Sequence, residues 1–166
     1  MVDVTMPSMR RLKDKEVKGL LREVRRLYPQ ILVLESAKNI EELTVGEDVI
    51  YFVDGVPLFL RTKAGYLPSL KSEEVINSLP HVTVDMGAVA HIVNGADIMR
   101  PGVKGVQRDF GKGELVVIVD ERHGKPIALG LTGIDSGEML RMSRGKVIAN
   151  IHYVGDDLWR ALSKPD

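Results

Sequence analysis

Four histidines, adjacent carboxylate pairs such as Glu41/Glu42 and Asp156/Asp157, and one glycine-rich stretch are the residues of this chain that could in principle do chemistry at a single site. His81, His91, His123 and His152 are scattered, and no two stand at i, i+4 or another spacing that would turn both imidazoles onto one metal ion. Gly105-Val106-Gln107-Arg108-Asp109-Phe110-Gly111-Lys112-Gly113 has the outline of a phosphate-binding loop. It departs from one twice, because five residues separate the first two glycine landmarks and neither Ser nor Thr follows Lys112. Glu41/Glu42 and Asp156/Asp157 are neighbours in sequence, and adjacency does not make an acid/base pair. No serine sits in a G-x-S-x-G elbow. Cysteine is absent, which excludes disulfides, thiolate nucleophiles and Cys-ligated zinc. A protein without catalytic residues, metal or cofactor is therefore expected.

Charge is more informative. Lys plus Arg number 23 and Asp plus Glu number 23, so the chain is formally neutral, which argues against coating a polyanion with its whole surface. The neutrality hides clustering. Lys15, Lys18, Arg22 and Arg25 recur at i, i+3, i+7 and i+10 with Arg26 beside them, a stripe of one sign where a solvated helix face usually intersperses glutamate. Arg100, Lys104, Arg108 and Lys112 form a second cluster, spread among glycines that let the main chain approach a phosphate. Arg141, Arg144 and Lys146 form a third. Aromatic residues make up only 5% of the chain, too few for a series of base-stacking platforms.

The elements that must carry these residues follow from periodicity. Val17, Leu20, Leu21, Val24, Leu27 and Tyr28 give the 3.6 period of an amphipathic helix over Asp14 to Tyr28, stopped by Pro29. Ile31–Leu34, Val49–Val53 and Val56–Leu60 read as strands, the last two joined at Asp54-Gly55 by a type I′ turn. Gly65-Tyr66-Leu67-Pro68 turns into a short strand, and Ser72 opens a short helix that ends before Pro80, where a domain boundary is expected. Beyond it a strand at Val82–Val84, a helix at Met86–Val93 closed by Asn94-Gly95, and a strand at Ala96–Met99 lead into a turn at Pro101-Gly102. Short β-rich runs at Glu114–Asp120, Pro126–Thr132 and Val147–Tyr153 complete a small open barrel. The expected class is α+β, with domains at 1–79 and 80–166. No apolar run reaches signal-peptide or membrane-spanning length, so a cytoplasmic protein that does not enter membranes is expected.

Val84-Asp85-Met86-Gly87-Ala88, followed by Ile92 to Val103 (IVNGADIMRPGV), resembles the opening strand, helix and second strand of the PUA domain, an RNA-binding module. The ending Ile148 to Trp159 (IANIHYVGDDLW), with Tyr66-Leu67-Pro68-Ser69-Leu70, is similar to the malignant T-cell-amplified-sequence family and the N-terminal half of ligatin. The resemblance implies a small α/β pre-PUA domain followed by a β-rich PUA pseudo-barrel. It implies a translation initiation, reinitiation or recycling factor that binds the small ribosomal subunit and a tRNA acceptor end beside a separate SUI-domain protein. The alternative is an RNA-targeting subunit of an RNA-modification complex. Carried over by matching motif, the implied RNA face comprises Gly87, His91 and Asn94, then Arg100, Pro101, Gly102, Val103, Lys104 and Arg108, and finally Asn150 and His152. Gly87 and Pro101 could equally serve the fold, Asn94 could act as a cap, and Asn150 and His152 could pack the domain ends. The chain lacks the insertion that eukaryotic members carry after Pro-Gly.

Overall fold

In a computed structural model, which describes residues 8–29, 31 and 36–163, the chain divides into two compact units. One comprises Met1–Val75 with Arg160–Asp166, and the other Ile76–Trp159. The division lies at Val75/Ile76 rather than at 79/80, and the last residues group with the first unit rather than the second. The architecture is mixed α+β, as the sequence implies.

In the first unit β1 (Met9–Arg11) precedes α1 (Asp14–Leu27), and β2 (Ile40–Val45), β3 (Asp48–Val53), β4 (Val56–Thr62) and β5 (Gly65–Pro68) follow. The five strands form one antiparallel meander in the order β1-β2-β3-β4-β5. Helix α1 starts where Glu16 reaches back to accept the Lys13 N–H at 2.8 Å, one half of a capping box. It buries Leu20 and Val24, each contributing about 1.5–3 kcal/mol of apolar burial. Its end is fixed to the sheet by Tyr28, whose ring stacks on Phe59 at 6.4 Å and whose hydroxyl donates to the Tyr66 carbonyl at 2.8 Å. Burial pushes the Tyr28 phenol up to about 12, so it stays a donor. The β3–β4 hairpin turns on Asp54 at φ 48° and Gly55 at φ 85°, the paired positive angles a type I′ turn requires.

Two strands here differ from expectation. Met9–Arg11 forms edge strand β1 and Ile40–Val45, which carries Glu41 and Glu42, forms β2, where the periodicity predicts no strand. The strand expected at Ile31–Leu34 lies outside the described residues beyond Ile31.

Helix α2 (Glu73–Ser78) leads into β6 (His81–Val84), α3 (Met86–Ile92) and β7 (Ile98–Met99). After a 3₁₀ turn at Arg100–Gly102 come β8 (Val103–Gln107), β9 (Leu115–Asp120), β10 (Pro126–Thr132), α4 (Ser136–Arg141), β11 (Lys146–Tyr153) and α5 (Asp157–Ala161). The second sheet runs β7-β11-β10-β9-β6-β8, antiparallel except for the parallel pair β6/β9. Its two edges, β7 and β8, are consecutive in the chain, so one bent segment reaches both margins of an unclosed barrel. The strand expected over Ala96–Met99 is only Ile98–Met99, and the glycine-rich basic stretch that follows the turn is strand β8 rather than loop. Val82, Val84, Ile92, Ile98, Val116, Ile118 and Ile148 fill the core.

Tight packing of this core is testable at Gly130, opposite Asn150 at the β10 bulge. A Cβ there would lie 2.3 Å from Ile148 Cγ2. Gly130→Ala should cost about 1–3 kcal/mol of stability through overpacking, read as a lower urea midpoint; an unchanged midpoint would contradict this packing.

Candidate nucleic-acid interface

The start of α3 and the 3₁₀ turn are built as one corner. Asp85 caps α3, its Oδ1 accepting the Ala88 N–H at 2.7 Å, while the Asp85 N–H donates to the Gly102 carbonyl at 2.9 Å. A Cβ on Gly102 would lie 2.9 Å from the Ala88 Cβ, so glycine sets how closely turn and helix approach. Around this corner Gly87, His91, Asn94, Pro101 and Lys104 are exposed, and Arg108 is exposed at the far end of β8, past the His81/Gln107 pair. Gly87 has no steric need to be glycine, since a Cβ there would meet only Asp85 Oδ1 at 3.4 Å. Its missing side chain leaves main chain open at the surface.

The remaining expected residues lie beneath that surface. Arg100 donates from Nε to the Met139 carbonyl at 2.8 Å, from one terminal nitrogen to the Val103 carbonyl at 3.1 Å, and from the other to the Leu140 carbonyl at 3.4 Å. Expected to neutralise phosphate, this guanidinium instead donates to carbonyls in the last turn of α4, sharing the Met139 carbonyl with the Met142 N–H at 3.1 Å. Val103 is buried. Asn150 Nδ2 donates to the Ile92 and Ala96 carbonyls, both at 3.0 Å, and so holds the end of α3. Its backbone N–H donates to Asp97 at 2.9 Å, and that hydrogen bond, helped by Lys146 at 3.1 Å, holds the Asp97 carboxyl below its usual range against the opposing effect of burial. Asn94 Nδ2 donates back to the Ala90 carbonyl at 2.8 Å. Arg108, at φ 67°, donates to the Ser78 carbonyl.

His152 corrects the sequence expectation most sharply. Its exposure is 0%, so it cannot present an edge to a ligand on the surface. Nδ1 lies 2.8 Å from Asp156 Oδ2, while Nε2 is buried without a partner among the described residues. Asp156 also accepts the Tyr153 N–H at 3.0 Å and the Trp159 N–H at 2.6 Å, capping α5. Burial raises its carboxyl pKa, but these hydrogen bonds, led by His152, outweigh it and leave the pKa below the ordinary range. Sequence reasoning missed Asp97, Asp156 and the structural duty of Arg100. Asp156 had a legible signal, an aspartate three residues before Trp159 at the start of a helix.

Among the described residues no three His, Asp or Glu side chains converge as a metal site, and no helix is long and apolar enough to cross a membrane. What gathers at the corner is exposed donors, a cation and open main chain, groups of the kinds that contact phosphate and sugar in nucleic acids.

Residues 80–154 match the PUA domain, and residues 11–72 match a domain of unknown function, DUF1947. The chain is 34% identical to the uncharacterized protein MJ1432 of Methanocaldococcus jannaschii, over 89% of this chain and 93% of that protein. It is 32% identical to translation machinery-associated protein 20 of Saccharomyces cerevisiae, over 92% and 91% respectively. Malignant T-cell-amplified sequence 1 of Danio rerio is 26% identical, over 89% and 88%. Among solved structures, a PUA-domain protein from Aeropyrum pernix, crystallised as a tartrate complex, superposes with a TM-score of 0.80 at 28% identity, covering 94% of this chain and 91% of that one.

Two outcomes test the geometry. Arg100→Ala removes the hydrogen bonds that tie the turn to Met139, Leu140 and Val103 and should lower stability by about 1–3 kcal/mol in urea unfolding, whereas Lys104→Ala should leave the midpoint unchanged; equal effects would refute the division of labour. The depressed Asp156 carboxyl contributes stability that is fully present above its unfolded value near pH 4 and is lost as pH falls through its lowered folded value. The difference in midpoint between wild type and Asp156→Asn should therefore shrink at about pH 2.5 relative to about pH 6. A difference that persists at the lower pH would count against the carboxylate's role.

Proposed function

Because the chain belongs to the family of PUA-domain proteins that includes translation machinery-associated protein 20 and malignant T-cell-amplified sequence 1, we propose that it is an RNA-binding protein of the translation machinery. In this proposal it is not an enzyme and works in the cytoplasm. It holds the single-stranded acceptor end of a tRNA on the small ribosomal subunit during initiation, reinitiation or recycling, beside a separate SUI-domain protein.

The observation that carries this reading is the exposed corner between α3 and the Arg100–Gly102 turn. There His91, Pro101 and Lys104 flank main chain that Gly87 leaves accessible, while Arg100 and Asn150 are occupied in holding the turn and the end of α3. A single-stranded end suits such a site, because its unstacked bases and 2′-hydroxyls offer hydrogen-bonding groups to His91 and to free main chain. Lys104 supplies charge for a phosphate at the same place. The corner is small, in keeping with recognition of an end rather than a long tract.

Tagged protein should be isolated without nuclease, with bound RNA sequenced and bound proteins identified. Small-subunit rRNA and tRNA are the expected cargo. Co-purification of a catalytic RNA-modifying chain would favour the targeting-subunit alternative, and absence of RNA would refute both. In direct titration Lys104→Glu should weaken binding of a CCA-ended oligonucleotide by about tenfold and flatten its log–log salt dependence by about 0.7. Unchanged affinity would place the RNA elsewhere.

A further inference from the structure

Helix α1 carries its charges in separate arcs. At about 100° per residue, Lys15, Lys18, Arg22, Arg25 and Arg26 all fall within an arc of about 100°, opposite the buried Leu20 and Val24. All five are exposed. Glutamates that could neutralise them are engaged at the flank. Glu16 is bonded to Arg10 at 2.9 Å and to the Lys13 N–H at 2.8 Å, and Glu23 to Arg26 at 2.9 Å. Arg10 spends the rest of its charge on Glu42 at 2.7 Å. Lys15, Lys18 and Arg22 make no ion pair among the described residues.

Gly19, half-buried, stands at the edge of the same surface, about 20° beyond Arg26 on the helix circumference, one turn from Lys15 and three residues before Arg22. Glycine within a helix is destabilising relative to alanine, and packing does not demand it here, because a Cβ at Gly19 would meet nothing within 4 Å. A bare patch of helix backbone among cations lets another backbone come close.

We propose that this face of α1 is a second RNA-binding surface, one that grips the phosphate backbone of double-helical RNA without reading its sequence. The arc holds no aromatic residue, methionine or other apolar anchor of the kind that centres a protein–protein interface, and its lysines are a residue type depleted there. Nor does it hold Asn, Gln or aromatic side chains suited to reading or stacking unpaired bases. Lys15 to Arg25 spans about 15 Å of a rigid rod, enough to follow several consecutive phosphates of a helical strand. The surface extends RNA binding to the first unit and does not depend on the acceptor-end site.

The test uses the full chain and two probes, a blunt RNA duplex of about 20 base pairs and a single-stranded oligonucleotide ending in CCA. The combined variant Lys15→Glu/Lys18→Glu/Arg22→Glu should lose about tenfold or more in duplex affinity at about 0.1 M salt and reduce the salt slope by roughly 2 to 3. Its affinity for the CCA-ended probe should stay within about twofold of wild type. Gly19→Ala should raise the melting temperature yet weaken duplex binding, a pairing that damage to the fold cannot produce. Undiminished duplex binding by the triple variant overturns the proposal. So does equal loss on both probes, which would mark a diffuse field, or retained duplex binding with loss of an acidic protein partner. Duplex binding by wild type without binding of the CCA-ended probe would refute the acceptor-end function and leave this surface standing.

Discussion

Arg100 sits where one stretch of chain leaves one margin of a sheet and joins the other. Its backbone N–H donates to Gly145 at 2.8 Å beside β7/β11, and its guanidinium collects carbonyls from α4 and from Val103, where β8 begins. Without these bonds the bend would lose its ties to α4 and to the start of β8, charge-assisted hydrogen bonds worth about 1.5–3 kcal/mol each. Gly102 completes the constraint by letting the turn lie against Ala88. Everything exposed at the corner, from His91 to Lys104, takes its position from this arrangement. A cation that looked like a ligand contact is the strut behind the contact surface.

The same economy recurs on β11. Asn150 and His152 stand two residues apart on one strand, and each uses its side chain to fasten a neighbouring helix: Asn150 the end of α3, His152 through Asp156 the start of α5. Polar groups inside a protein are retained when their hydrogen bonds are met locally, and here they position the elements between which the exposed groups lie. In the first unit Tyr28 performs the comparable task with a stacked ring and one hydroxyl.

The legible parts of the sequence were those with strong local signals. The 3.6 period of α1, the Asp54-Gly55 turn and the apolar runs of β3, β9 and β10 each carry their cause within a few residues. Strand β2 was obscured because Ile40 and Leu43, both buried, break the alternation expected of a strand with one wet face, and Glu41 and Glu42 read as loop charge. Strand β8 was hidden by glycine, and α4 by its six-residue length, although Asp135 accepting the Glu138 N–H at 2.8 Å is a helix-start signal visible in sequence. At the candidate site the corner and its glycines were legible from the resemblance, but the burial of His152 and the engagement of Arg100 were not. The engagement of Arg100 depends on Met139 and Leu140, about 40 residues away in sequence, which come near only once the sheet has formed.

The grouping of Arg160–Asp166 with residues 1–75 has a consequence for synthesis. The second unit is one uninterrupted stretch, whereas the first draws on segments from both sides of it and is complete only after the second has been made. Leu162, buried to 2% exposure, is part of that late delivery. The first unit, although begun earliest, therefore waits on residues that follow the second, and the growing chain carries an incomplete N-terminal core until Leu162 has been made.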